Sequence, residues 1–263
     1  MWANRMKLFQ RLGELIPLLL AILLFCTLVF GTWGWLFFFV VVSLIGYFFI
    51  VSLLKGKFRL LWYYWLGLLT LSTVVFWLSV SNRNIVLLLA CSSDNYWSFF
   101  TGIFVHASEV HLFSNLFGIL FFMYFFAQIY RNAPPERCER QSRLIVAVTL
   151  AGAVVVNVAA ASVSGISGGL SGAVFILMGM LFAESMGNVM VDLWLKTVKT
   201  YSFANNVAII IYFLFALFVF ANSFFNVAVG VNFYAHQYGF LLGFLVNLLV
   251  FLSTILTTKK QKD

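Results

Sequence analysis

Apolar runs close to the length of a membrane span recur along the chain, separated by short breaks of polar residues, glycine or proline. Each is long enough to cross a hydrocarbon core of about 30 Å. The pattern predicts spans at about 15–32, 34–54, 60–80, 111–130, 144–165, 169–187, 207–225 and 236–256. The first two read as a hairpin turning at Gly31-Thr32-Trp33-Gly34, and a shallow re-entrant pair would give the same pattern. Residues 81–110 are too interrupted to span. They carry Ile85–Ala90 and Tyr96, Trp97, Phe99 and Phe100, which predicts a structure lying in the outer interface. Asn132-Ala133-Pro134-Pro135-Glu136 reads as a break between spans. The 169–187 span, sixteen residues from Ser171 to Gly187 or about 24 Å, is shorter than the core, so Ser171 is expected below the outer surface.

Composition removes the soluble alternatives: 63% of residues are hydrophobic and 9% are charged. A net charge of +8 could point to nucleic acid, but its distribution gives a different reading. With the N-terminus in the cytoplasm, all of the 16 basic residues except Arg83 fall on the cytoplasmic side. That is the bias of the positive-inside rule, and it predicts both termini inside. The basic N-terminus runs into apolar sequence without a small-x-small cleavage site, so it reads as an uncleaved anchor. Cys26, Cys91 and Cys138 fall in a span, an outer loop and an inner loop, so no disulfide or cysteine metal site is expected.

Three polar stretches stand out. Gly168-Gly169-Leu170-Ser171-Gly172 breaks the chain with small residues and opens an apolar helix with a serine. There, free backbone N–H groups and the positive dipole end favour developing negative charge. In the last span His236, Gly239 and Gly243 share one narrow arc, so the face carrying the imidazole has no bulk and a neighbouring backbone can approach it. Gly172 and Gly179 make a second smooth face to receive it. His111 and Asn115, four apart, share a face at the start of another span. A serine, a base and an amide donor at the same end of three helices form a hydrolase constellation.

The chain resembles the rhomboid family of intramembrane serine proteases. The resemblance rests on H-x-x-x-x-H-x-x-x-N (His106, His111, Asn115), G-x-S-G (Gly169, Ser171, Gly172) and A-H-x-x-G-x-x-x-G (Ala235, His236, Gly239, Gly243). The motifs stand in the family's order over roughly the last two thirds of the chain. The fold implied is an all-α polytopic membrane protein, a six-helix rhomboid-like core over 60–263 preceded by an accessory membrane hairpin over 1–59. The resemblance further implies a Ser171–His236 dyad and an oxyanion site of Asn115, His111 and the Ser171 N–H. Gly169, Gly172, Phe175, Gly239, Gly243 and His106 become structural positions around it. Many rhomboids have a tyrosine where Phe175 stands, packed on the catalytic imidazole; phenylalanine keeps the ring and loses the hydroxyl. The family's Trp-Arg pair is incomplete, since Trp97 is followed by Ser98.

Ser167 sits in a second G-x-S-G string (Gly165, Ser167, Gly168), and Ser171 is preferred because an uninterrupted helix follows it. His236 could be a satisfied structural histidine, but an ionisable group within a span is functional by default. His111 and Asn115 could equally cap or cross-link helices. Glu184 is expected to reach water near its helix end and has no role assigned. No acid is placed to orient His236, so a dyad is expected. The implied partners are transmembrane protein substrates and the lipid bilayer, with no nucleic acid, metal or other cofactor. A multi-pass protein of a bacterial inner membrane is the default location. Two rivals differ in class. Non-catalytic rhomboid-like client binders usually lack the serine or the histidine, whereas Ser171 and His236 are both present, and transporters tend to bury paired charges, of which these spans carry almost none.

Overall fold

The computed structural model describes residues 56–92, 95, 97–130, 133–194, 210 and 233–260, all within the compact unit Leu53–Asp263. The predicted 15–32/34–54 hairpin, Cys26 and, apart from Ile210, the 207–225 span lie outside the described residues. The rest is almost wholly helical. In chain order come α1 (Arg59–Ser81), α2 (Arg83–Leu89), β1 (Cys91–Ser92), α3 (Ser98–Thr101), a 3-10 turn (Gly102–Phe104), α4 (Glu109–Ile129), α5 (Pro135–Ser164), β2 (Ile166–Ser167), α6 (Ser171–Trp194) and α7 (Phe233–Lys260). Among the described residues, α1, α4, α5, α6 and α7 are long and apolar enough to cross a membrane.

Two helices depart furthest from the ends expected. α5 begins at Pro135 rather than near 144, because Pro134-Pro135 opens a helix instead of only breaking the chain. Proline at N1 loses no intrahelical hydrogen bond and has its φ already set. α6 continues to Trp194 rather than stopping near Gly187. Gly187 is a contact and not a stop, for a Cβ there would lie 2.7 Å from the Phe251 ring. At 24 residues α6 is about 36 Å long. The idea that a short span sinks Ser171 therefore fails, and its burial comes from the surrounding protein.

α6 is the centre of the bundle. Leu170, Ile176, Leu177, Met180 and Leu181 have lost nearly all their accessible surface. α4, α5 and α7 surround it, and each meets it or its neighbours through a glycine. A Cβ at Gly118 of α4 would fall 2.9 Å from Val174, and one at Gly152 of α5 would fall 2.8 Å from Ile176. α7 comes closest. A Cβ at Gly179 would strike the Phe240 carbonyl oxygen, and one at Gly243 the Ile176 carbonyl oxygen. On the other face of α7, Leu241, Leu245, Leu249 and Leu252 are exposed as one stripe, the surface a bilayer would cover. α1 is held to α4 by the Trp65 indole, which donates to the Leu116 carbonyl at 3.1 Å.

The 81–110 segment is ordered around β1, which pairs antiparallel with β2 so that Cys91 faces Ser167 and Ser92 faces Ile166. Leu87, Leu88, Trp97 and Phe100 project from it, exposed. Ser98 stands where the family's arginine is expected; it is buried, and its hydroxyl accepts from the Ser92 N–H at 3.1 Å. Glu184 corrects another expectation. It does not reach water but is 4% exposed, accepting from the Tyr130 hydroxyl at 2.5 Å and from Asn247 Nδ2 at 3.0 Å.

Gly243→Val should force α6 and α7 apart and lower stability by roughly 1–3 kcal/mol or more, the usual cost of overpacking. Gly67→Ala, at an exposed mid-helix site with nothing within 4 Å, should stabilise by up to about 1 kcal/mol. Thermal unfolding in detergent would compare the two. Equal midpoints would mean that the close helix approach contributes nothing.

Candidate active site

The α6 N-terminus is built by its loop. The Val174 N–H bonds to the Leu170 carbonyl at 3.0 Å, which makes Ser171 the first helical residue. The N–H of Ser171 therefore has no intrahelical acceptor and points out at the positive end of the helix dipole. Ser171 itself is 6% exposed. The glycines before it are held from outside the helix, the Gly169 N–H donating to the Gly102 carbonyl at 2.8 Å. Gly169 has φ +98°, a conformation that glycine adopts without strain. A Cβ on it would also lie 3.3 Å from His111 Cε1 and 3.4 Å from the Val105 carbonyl.

His106 ties the same loop. Its Nδ1 lies 3.0 Å from the Phe104 carbonyl, and its Nε2 lies 3.4 Å from the Leu170 N–H. Since Nε2 must accept from an amide, the ring is neutral with its proton on Nδ1, donated to Phe104. Burial pushes the His106 pKa down to about 4; the Phe104 bond opposes this, and the nearby His111 adds to it. The two imidazoles meet edge to face, 5.4 Å between centroids.

α4 presents the amide. Ser108 caps the helix by accepting from the His111 N–H at 3.2 Å, with Glu109 exposed in the first turn. His111, Asn115 and Gly118 form a stripe at i, i+4 and i+7. His111 touches Gly169 and Gly118 faces Val174, so Asn115, between them, faces the opening turn of α6. Asn115 is 7% exposed, and its Nδ2 is a buried donor without a hydrogen-bond partner. Such a group costs about 1–3 kcal/mol when left unpaired. An acceptor arriving with a ligand would relieve that cost.

α7 brings the imidazole. His236 is 5% exposed, and its ring stacks on Phe175 with centroids 4.2 Å apart and planes inclined at 17°. Phe175 lies one turn below Ser171 on the same face of α6. The glycine faces permit this. A Cβ at Gly239 would fall 2.7 Å from the Gly172 carbonyl, and one at Gly172 would come within 4.0 Å of the Ala235 carbonyl. Ser171, Phe175, His236, Asn115 and His111 thus converge at one end of α4, α6 and α7, with His106, Gly169, Gly172 and Gly239 around them. Gly243 lies one turn deeper. Glu184 is bonded to Tyr130 and Asn247 far down α6, and Glu109 is exposed. Asp94 lies outside the described residues.

The two serines are distinguished by a partner that the motif does not contain. Ser167 is in β2, and its hydroxyl donates to Asn157 Oδ1 at 3.0 Å. It is 2% exposed and occupied in bracing the loop. Asn157 was legible only as a lone amide in an Ala- and Val-rich span. The His106 strap gives a pH prediction. Its folded pKa lies below the ordinary 6.5, so the unfolded chain binds the proton more readily. Stability present above pH 6.5 should be lost as pH falls through 4, by up to roughly 3 kcal/mol. His106→Ala should lower the unfolding midpoint at pH 7 and flatten the stability–pH curve between 6.5 and 4. An unchanged slope would rule out the strap.

Comparison with known proteins identifies the family. A search among curated proteins finds no match. The family model of the rhomboid domain matches residues 93–253, from the loop before α3 through the greater part of α7. That stretch covers more than half of the chain and contains every residue gathered at the site. With several helices fit to cross a bilayer, the chain is an integral multi-pass membrane protein and belongs to the rhomboid family.

Proposed function

We propose that this protein is an intramembrane serine endopeptidase in which Ser171 is the nucleophile and His236 the general base. One observation supports the reading: the His236 imidazole stacks on Phe175, one turn along α6 from the serine at its N-terminus, and the buried Asn115 amide on α4 has no partner. Residues 60–263 form the protease unit and 1–59 an accessory hairpin. The substrates are single-span membrane proteins, cut near the outer end of their helix. Both termini face the cytoplasm of a bacterial inner membrane.

The chemistry follows from the positions. His236 takes the Ser171 Oγ proton as Oγ bonds to a peptide carbonyl carbon. The carbonyl oxygen becomes an oxyanion, which the Ser171 N–H and Asn115 Nδ2 stabilise, with His111 beside them. The proton on His236 passes to the leaving amine as the C–N bond breaks. Water then gives a proton to His236 and attacks the acyl-enzyme, and that proton returns to Oγ as the serine is released. No orienting acid is assigned, so the imidazole depends on packing, and turnover is expected to be slow. In triad enzymes the acid's function is worth about 10⁴ in kcat.

Cleavage of a labelled single-span substrate in proteoliposomes tests the reading. Ser171→Ala and His236→Ala should abolish cleavage, and Asn115→Ala should lower kcat by roughly 10²–10³ with little change in KM. Ser167→Ala should keep substantial activity while unfolding earlier, because it loses the Asn157 bond. A dead Ser167 variant of unchanged stability beside an active Ser171 variant would move the nucleophile to Ser167. A wild type inert across a varied substrate panel would favour a client-binding protein.

A further inference from the structure

At the far end of the bundle a cleft of about 430 Å³ opens among the ends of four helices. Sites for small ligands run from about 300 to 1,000 Å³. Tyr130 closes α4, Arg137 and Arg140 lie in the first turns of α5, Glu184 is late in α6 and Phe251 late in α7. Thirteen residues of α6 separate Ser171 from Glu184, about 20 Å. The cleft is therefore separate from the candidate active site.

Its floor is a buried, fully engaged network. Both Glu184 carboxylate oxygens accept hydrogen bonds, one from Tyr130 and the other from Asn247. Gln141 Nε2 donates to the Tyr130 hydroxyl at 2.8 Å. Burial, and next the Glu184 charge, push the Tyr130 pKa well above its ordinary value, so the hydroxyl remains a donor. With both oxygens engaged this carboxylate acts as a scaffold, and among the described residues no cluster could hold a metal. The scaffold fixes the Tyr130 ring, and the Arg137 guanidinium rests over it, 5.4 Å from its centroid. Among the described residues, Arg137 and Arg140 are exposed and have no carboxylate partner, and the one ion pair is Arg143–Glu139. Leu144, Val191 and Phe251 supply an apolar wall beside them.

We propose that this cleft binds the headgroup of an anionic phospholipid, its phosphate on Arg137 and Arg140 and its acyl chain along Leu144, Val191 and Phe251. The charge is complementary, and arginine forks match phosphate geometry. Basic pockets between membrane helices, at the level of the helix ends, are where anionic headgroups are recognised. A free phosphate would engage the same arginines but make no use of the apolar wall.

Native mass spectrometry of the full chain in detergent, with phosphatidylglycerol or phosphatidylcholine of identical acyl chains, tests this without relying on proteolysis. The anionic lipid should be retained roughly 10-fold more strongly, and Arg137→Gln/Arg140→Gln should remove the preference while the lipid-free protein stays folded, its unfolding midpoint lowered only by the loss of the Arg137–Tyr130 contact. Excess soluble glycerol phosphate should not displace it. Equal retention of the two lipids, or an undiminished preference in the double variant, would overturn the proposal. Displacement by glycerol phosphate at matched concentration would make this a phosphate site and overturn the lipid assignment.

Discussion

The site depends on how closely the α6 and α7 backbones approach. Between helices in a bilayer the hydrophobic effect offers little, and association rests on packing that small residues allow. At Gly179 and Gly243 a single Cβ would collide with a carbonyl of the other helix, and at Gly239 it would nearly do so. These contacts fix the rotation of each helix as well as its distance. A shift of one residue in α7 would turn His236 by about 100° and remove it from Phe175. The glycines therefore act as the register of the site, although only Gly172 and Gly239 adjoin it.

Register alone would not hold the serine loop. Backbone that leaves its helix inside a membrane protein must find partners within the protein. Here Gly169 and Leu170 donate to Gly102 and His106, respectively. β2 pairs with β1, and Ser167 bonds Asn157. These supports come from the 81–110 segment and from α5, so that segment braces the α6 N-terminus besides presenting apolar groups outward. Asn115 gives no such support: its Nδ2 is a buried donor without a partner, facing the opening turn of α6.

What could be read beforehand was what periodicity encodes. The approximate positions of the five spans among the described residues, apart from the start of α5 and the end of α6, follow from spacing, as do the glycine faces and the sharing of one end by Ser171, His236 and Asn115. What escaped depends on partners distant in sequence. Gly187 looks like a helix end until Phe251 is seen against it, and Pro134-Pro135 looks like a break although it starts α5. Glu184 seemed free because nearness to a helix end predicts access to water. Its azimuth, facing Tyr130 and Asn247, decides otherwise. The strings around Ser167 and Ser171 are alike, and Asn157 distinguishes them through a bond that no local motif contains.

Phe175 bears on why an imidazole could serve here without an assigned acid. A carboxylate placed against His236 would have to be desolvated in a nearly closed site, at a cost of several kcal/mol before any benefit. An aromatic face needs no such desolvation. Stacked at 4.2 Å and nearly parallel, it restricts the tilt of the imidazole. When the proposed reaction places a proton on His236, the ring becomes a cation over the negative face of Phe175, an interaction worth about 0.5–2 kcal/mol. That is less than a carboxylate can supply to the same cation, in keeping with the slow turnover expected of the proposed dyad. The lost tyrosine hydroxyl matters little to either effect, since both come from the ring.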